Sequence, residues 1–343
     1  MASAHSVPVG IGPAVRRLGL PLLRLAAAVT VLWFLVRQVG AAPFKDGLQA
    51  VTWPAVVAAV TLTALTTVCS AWRWRVVARA LGVGIGLPAA ICAYYRSLFL
   101  NSVLIGGVVG DVHRAVTHGR RAGDVPRGLR AVAWERLTGQ VIQAVVTAVV
   151  LLIVPSPVRP VLPYVLAGLA GVAGAAGCVA LVVRRVARGR SRLTRAAQAV
   201  SDDLRHRLLA PEVWPQLVLS SLLVVAGHTA TFVIAARVAG STAPLGELLA
   251  LLMVVQVAVV IPLSIGGWGL REGAAAWAFG AAGLGAATGV TIAILYAVLM
   301  LAAVSPGAGL LLRDAVRRRR DLGQPCESRR PDPAPRELEA VRD

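Results

Sequence analysis

The stretch Trp53-Pro-Ala-Val-Val-Ala-Ala-Val-Thr-Leu-Thr-Ala-Leu-Thr-Thr-Val-Cys-Ser-Ala71 carries no charged side chain. A helix of about 20 such residues matches the thickness of a bilayer's hydrocarbon core. Comparable apolar blocks lie at 20–36, 131–154, 161–183, 213–236, 245–261 and 287–312. Across all 343 residues the chain is 57% hydrophobic, with mean hydropathy +0.72. A soluble domain is nearer half apolar, and its apolar residues fall in periodic stripes rather than long blocks. The expected fold is therefore all-α: a polytopic transmembrane helix bundle of about seven or eight spans. No small-residue cleavage pattern follows the first block, so 20–36 is read as a retained span.

Two glycine-rich segments interrupt these blocks. One reads Asn101-Ser-Val-Leu-Ile-Gly106-Gly107-Val-Val-Gly110-Asp111-Val-His113-Arg114, the other Pro262-Leu-Ser264-Ile-Gly266-Gly267-Trp268-Gly269-Leu-Arg271-Glu272. Each ends in an acid and an arginine. Non-helical backbone at membrane depth is tolerated only where protein or a water-filled cavity surrounds it, and broken helices often form the binding site of a transporter. Both segments are expected to be broken or re-entrant. Each half of the chain offers two spans, a glycine break with acid and arginine, and a further span, which suggests an internal repeat.

The formal net charge is +19, and Lys45 is the only lysine. The arginines cluster after the apolar blocks: Arg73, Arg75 and Arg79; Arg114 to Arg130; Arg184 to Arg195; Arg313 and Arg317 to Arg320. This is the positive-inside pattern, with anionic lipid as counter-charge. It predicts both termini cytoplasmic, and the near-absence of lysine with the excess of Ala, Val, Gly and Pro points to a GC-rich bacterial genome, hence a bacterial inner-membrane protein. No soluble basic domain is present, so nucleic acid is not an expected partner. With the basic loops inside, 82–110 must enter the membrane and return, and the stretch after Glu272 must cross outward. The expected domains are a cytoplasmic segment at 1–19, a transmembrane domain at 20–312 and a basic, disordered tail at 313–343.

Cys69, Cys92, Cys178 and Cys326 have neither metal-ligand nor disulfide spacing. There is no HExxH, GxSxG or P-loop. No cofactor is expected, and the chain is not read as an enzyme.

Asn101, Gly106, Gly107, Gly110, Asp111 and Arg114 are candidate site residues. Arg114 could bind phosphate through its planar fork, and Asp111 could hold that arginine or meet a cationic headgroup. The competing reading is an interfacial loop with an ordinary ion pair. Glu135 and Arg136 open the third block. Arg136, Gln140, Gln143 and Thr147 share one helical face, which either lines a polar groove or joins helices. In the second segment Ser264, Gly266, Gly267, Gly269, Arg271 and Glu272 are candidates. Their backbone N–H groups could meet an anion at a helix start, or the segment could be a capped helix end. Adjacent Arg271 and Glu272 diverge by about 100° on a helix and are expected to find different partners. Arg73, Trp74 and Arg75 read as interface anchors. His228 is either a proton relay or part of a helix–helix hydrogen bond.

At these residues the chain resembles the lysylphosphatidylglycerol synthase transmembrane region, also described as flippase-like integral membrane proteins. The resemblance is carried by Ser70-Ala-Trp-Arg73-Trp-Arg75, Tyr95-Arg96 through Asn101, Gly106-Gly107 through Gly110-Asp111 and Arg114, Trp134-Glu135-Arg136-Leu137-Thr-Gly139, and Pro262 through Gly269-Leu-Arg271-Glu272. It extends from about the first span to Leu312. It implies a lipid translocase. Bifunctional relatives add a soluble aminoacyltransferase domain, in whose place this chain has a short tail, so aminoacyl transfer is not expected. The expected ligand is an anionic or aminoacylated phospholipid, or a polyprenyl-linked lipid. The alternative is a non-transporting membrane partner that presents such a lipid to a separate envelope enzyme. Self-association is left open.

Overall fold

The computed structural model describes residues 40–104, 107–168, 198–259 and 269–323, with a few isolated positions beside them. The expected span at 20–36, most of that at 161–183, and Gly106, Ser264, Gly266 and Gly267 lie outside the described residues. Among the described residues the regular elements are helical. Helix α1 covers Ala42–Gln49, α2 Trp53–Ala80, α3 Leu87–Val103, α4 Val109–Arg121 and α5 Val125–Ile153. After a π-helical turn at Asp203–Leu208, α6 covers Trp214–Val238, α7 Leu245–Val259, α8 Leu270–Ala281, α9 Ala286–Val304 and α10 Pro306–Gly323.

Four stretches are long and apolar enough to cross a membrane: Trp53–Ala80, Val125–Ile153, Trp214–Val238 and Ala286–Arg317, the last joining α9 to most of α10. Their outward faces carry exposed Leu65, Val68, Leu152, Ile153, Leu219 and Leu223. In water such faces would aggregate, and in lipid they are solvated. The chain is a multi-pass helical membrane protein. Proline stands in the first turn of α2, α3, α5 and α6. There its missing N–H costs nothing and its fixed φ suits the helix. Asp124 caps α5 by accepting from the Arg127 N–H at 2.8 Å.

Two expected boundaries move. The span expected to end at Ala71 continues as helix to Ala80, because the charge that follows, Arg73, is paired inside the bundle and forces no exit. The tail expected from 313 onward is helical to Gly323. Pro306 at its start suits a new first turn, and the arginines beyond are good helix formers.

The glycine breaks separate short helices. Helix α3 has 17 residues and α4 has 13. At 1.5 Å per residue that is about 26 and about 20 Å, less than a full bilayer core. They fold against each other as a hairpin between the long helices α2 and α5. On the far side of the second break, α8 has only 12 residues and turns at Gly283 and Gly285, both at positive φ, into α9.

The halves run in opposite directions. Arg73 Nη1 on α2 reaches Ser221 Oγ on α6 at 3.0 Å, while Thr66, two turns earlier, packs on Gly227. Residue numbers rise along one helix as they fall along the other, so α2 and α6 are antiparallel. Each begins a unit of the same order, long helix, short helix, short helix, long helix, with a glycine-rich segment between the two short helices that in the second unit lies mostly outside the described residues. The pairings correspond as well. Helix α2 packs on α9 as α6 packs on α5, and α4 packs on α5 as α8 packs on α9. The chain thus carries two units of opposite polarity, an arrangement common among transporters.

Candidate functional site

Helix α3 places Tyr94, Ser97 and Asn101 on one face, at intervals of three and four residues. That face meets the start of α4 so closely that a Cβ on Gly110 would overlap the backbone of Ser97. The contact lets the Gly110 N–H donate to Asn101 Oδ1 at 2.8 Å. It also delivers Asp111, whose Oδ1 accepts from Ser97 Oγ at 2.9 Å and whose Oδ2 accepts from Asn101 Nδ2 at 3.1 Å.

One turn on, Arg114 donates from Nε to Asp111 Oδ1 at 3.0 Å and from Nη2 to Glu135 Oε2 at 2.6 Å. Its guanidinium also lies over the Tyr94 ring, 4.2 Å from the centroid, and over Trp74 at 4.9 Å. Glu135 on α5 is fully buried. Its Oε1 accepts from Arg73 Nε at 3.0 Å, from Arg73 Nη2 and from Tyr94 Oη at 2.9 Å. The Arg73 guanidinium fits because position 139 is glycine: a Cβ there would lie 2.9 Å from Nη2. Arg136 Nη2 closes the network on Asp111 Oδ2 at 2.6 Å.

Three guanidinium groups thus share two carboxylates, and the network is left with one net positive charge. Burial of charge is expensive unless it is paired and hydrogen-bonded. All five groups are paired, Arg136 through Asp111, but Arg136 is the least buried of them: its side chain is 37% exposed, against 0% for Arg114. Among the described residues its Nε, like Arg114 Nη1, has no acceptor. By its exposure, Arg136 is where the network's surplus charge is most accessible.

Arg136 faces a cavity of about 700 Å³. Its polar wall includes Arg73, Asn101, Ser102, Asp111, Gln140, Gln143, Ser221, His228 and Gln256, with Leu98, Val112 and Val225 among its apolar lining. Gly107 is part of its lining. The α5 stripe divides between its two expected roles. Arg136, Gln140 and Gln143 line the cavity, whereas Thr147 is buried and bonds to the Gln143 carbonyl at 2.9 Å, where it also meets Met253 of α7. Arg114 and Glu135 lie behind the wall, not on it.

The second segment builds a separate knot. Gly269 adopts φ +91° and its N–H donates to Glu272 Oε2 at 2.6 Å. Contrary to the expectation of different partners, Arg271 donates to its neighbour, from Nε at 3.1 Å and Nη2 at 2.9 Å to Glu272 Oε1. At the first turn of α8 the glutamate curls back to cap the helix, and the curl brings it beside Arg271. Arg271 stands over the Tyr296 ring at 5.8 Å, and Tyr296 Oη is 3.1 Å from His228 Nδ1. His228 lines the cavity; Arg271 and Glu272 do not. The contact pattern repeats helix by helix: Arg73 on α2 meets Glu135 on α5, which meets Arg114 on α4, while His228 on α6 meets Tyr296 on α9, which lies beneath Arg271 on α8.

Arg73 is not the interface anchor its position suggests; it is 6% exposed and tied to Glu135. Its signal was a polar stripe along α2, Thr63, Thr66, Thr67, Ser70 and Arg73, all buried. Tyr94 and Ser97 join the site through the same helical face as Asn101, at intervals of three and four residues, the one signal in the sequence that marks them.

No curated protein matches the chain. A family model described as lysylphosphatidylglycerol synthase TM region matches residues 22–307. That match takes in both glycine segments, the buried charge network and the cavity, and by it the chain belongs to the lysylphosphatidylglycerol synthase TM region family.

Proposed function

We propose that this protein is a lipid translocase of the bacterial inner membrane, and that the cavity at Arg136 holds the headgroup of the lipid in transit. The observation that carries the reading is Arg136, the most exposed member of a network with one more guanidinium than carboxylates, on the wall of a 700 Å³ cavity inside a bundle of apolar helices. A charge in that position is costly, and where it occurs it marks a substrate or ion path. Arg136 receives the phosphate. Asp111 holds Arg136 by one nitrogen; its other acceptor sites are taken by Ser97, Asn101 and Arg114, so it positions Arg136 and does not itself bind the headgroup. Asn101, Gln140, Gln143 and Gln256 supply neutral donors and acceptors that replace part of the headgroup's water. The acyl chains remain in the surrounding lipid.

The two units of opposite polarity support the same reading, since rocking of such units about a shared site exposes it to one leaflet and then the other. The protein acts as a transporter and not as an enzyme. A single fluorescent phosphatidylglycerol in proteoliposomes tests this, read by loss of the inner-leaflet signal to an impermeant quencher. Arg136→Ala is expected to reduce the rate at least about tenfold, the worth of one charge-assisted hydrogen bond, and Arg313→Gln to leave it unchanged. Equal rates in wild type and Arg136→Ala would overturn the assignment. Lipid bound but never moved by wild type would redirect the reading to a partner that presents lipid to an envelope enzyme.

A further inference from the structure

The cavity at Arg136 is short of negative charge. Among the described residues Asp111 is the one carboxylate in its lining, against the guanidinium groups of Arg73 and Arg136. A carboxylate offers about four acceptor sites. Those of Asp111 are filled, by Ser97 Oγ and Arg114 Nε on Oδ1 and by Asn101 Nδ2 and Arg136 Nη2 on Oδ2. The buried glutamates Glu135 and Glu272 lie off the wall and are held by arginines. The stretches before and between the described segments, 1–39, 105–106, 169–197 and 260–268, contain no aspartate or glutamate. An ammonium group in the cavity would therefore meet two guanidinium groups and no uncommitted carboxylate.

What the wall does offer is an arginine and carboxamides. Arg136 commits Nη2 to Asp111 and its Nε is buried, while its side chain is 37% exposed, so Nη1 is the nitrogen left for a ligand. Gln140 lines the cavity one turn along α5, with Gln143 beyond it and Gln256 on α7. Gln143 turns its Nε2 to Thr147 Oγ1 at 3.4 Å and Met253 Sδ at 3.5 Å, which leaves its carbonyl oxygen for the cavity. A carboxamide donates and accepts, as a hydroxyl does, so the two match in either sense. A phosphate oxygen suits the arginine.

We infer that the cavity selects lipids whose headgroup is a phosphodiester with hydroxyl groups and no amine, and rejects aminoacylated lipids. This selectivity presupposes that the cavity holds the headgroup, as proposed above. A glycerol headgroup has the required chemistry, and so has a sugar joined to a polyprenyl phosphate. Lysylation of phosphatidylglycerol sets two ammonium groups beside one phosphate and turns the headgroup positive. Like charges brought together out of water are strongly penalised.

The test uses the full chain in proteoliposomes and three lipids with the same fluorescent acyl chain: phosphatidylglycerol, lysyl-phosphatidylglycerol and phosphatidylmethanol. Phosphatidylglycerol should cross at least about ten times faster than its lysyl derivative. It should also outpace phosphatidylmethanol, which has the same charge and no hydroxyl. Gln256→Glu, which places a carboxylate in the cavity, should lower the ratio of phosphatidylglycerol to lysyl-phosphatidylglycerol rates at least about tenfold. Arg136→Gln should lower the same ratio and serves where the new carboxylate prevents folding. In a second arm, phosphatidylglycerol, lysyl-phosphatidylglycerol and polyprenyl phosphoglucose are offered equally in mixed micelles and counted by mass spectrometry on the purified protein. Retention of the first marks a glycerol headgroup, and of the last a sugar. Lysyl-phosphatidylglycerol moved as fast as phosphatidylglycerol by wild type would overturn the selectivity and leave the translocase reading standing. Equal rates for phosphatidylglycerol and phosphatidylmethanol would strike out the hydroxyl requirement. If wild type moves none of the lipids, the translocase reading fails and retention decides the selectivity: a preference for the amine-free lipids upholds it, and equal retention overturns it.

Discussion

Replacing Glu135 by Gln tests the buried charge network most directly. The change keeps the shape of the side chain and removes one of two carboxylates. Glu135 accepts four hydrogen bonds, from Arg73 Nε and Nη2, Tyr94 Oη and Arg114 Nη2. In the variant three guanidinium groups share Asp111 alone, and the net charge of the network rises from one to two. Removing one partner of a buried ion pair costs about 3–5 kcal/mol, because the other charge is left uncompensated. Glu135→Gln should therefore lose about 3–5 kcal/mol of unfolding free energy in a sodium dodecyl sulfate titration of mixed micelles. Arg73→Met alone should also destabilise the protein. The double variant restores a net charge of one, so its loss should fall short of the sum of the two single losses by roughly 1–3 kcal/mol. A loss in Glu135→Gln below about 1 kcal/mol, the level of an exposed pair, would refute the reasoning. So would strict additivity in the cycle.

Gly110→Ala should destabilise by about 1–3 kcal/mol through overpacking against the Ser97 backbone, while Gly309→Ala, where nothing lies within 4 Å, should be neutral or stabilise by up to about 1 kcal/mol; the same titration compares them. Gly139→Ala should displace the Arg73 guanidinium from Glu135 and lower both stability and lipid transport, with Gly139→Ser no better, since any Cβ meets the same obstruction. Tyr296→Phe removes the bond to His228 and keeps the ring beneath Arg271, so it should cost only about 1 kcal/mol; a loss as large as that of Glu135→Gln would mean that the two units' knots contribute equally.

The membrane class was legible in residues 53–71 alone, because a bilayer demands an apolar run of fixed length and penalises every charge within it. The same penalty made Asp111, Glu135, Arg136 and the arginine–glutamate step at 271–272 visible: a charge beside an apolar block is conspicuous whatever surrounds it. The order of long and short helices could also be sensed from the two glycine breaks. What the chain could not reveal by itself was partnership. A helical period of 3.6 says which side chains share a face, as with Thr66, Ser70 and Arg73, and nothing about which face lies opposite. Arg73 read as an anchor because charge normally ends a span; only contact with Glu135, 62 positions away, keeps it inside. Arg271 and Glu272 seemed bound to diverge, until helix capping turned the glutamate back. Tertiary packing decided these points, through close approaches such as Gly110 on Ser97 and Gly139 on Arg73. Those contacts select which arginine meets which carboxylate, and leave the surplus charge on the wall of the cavity.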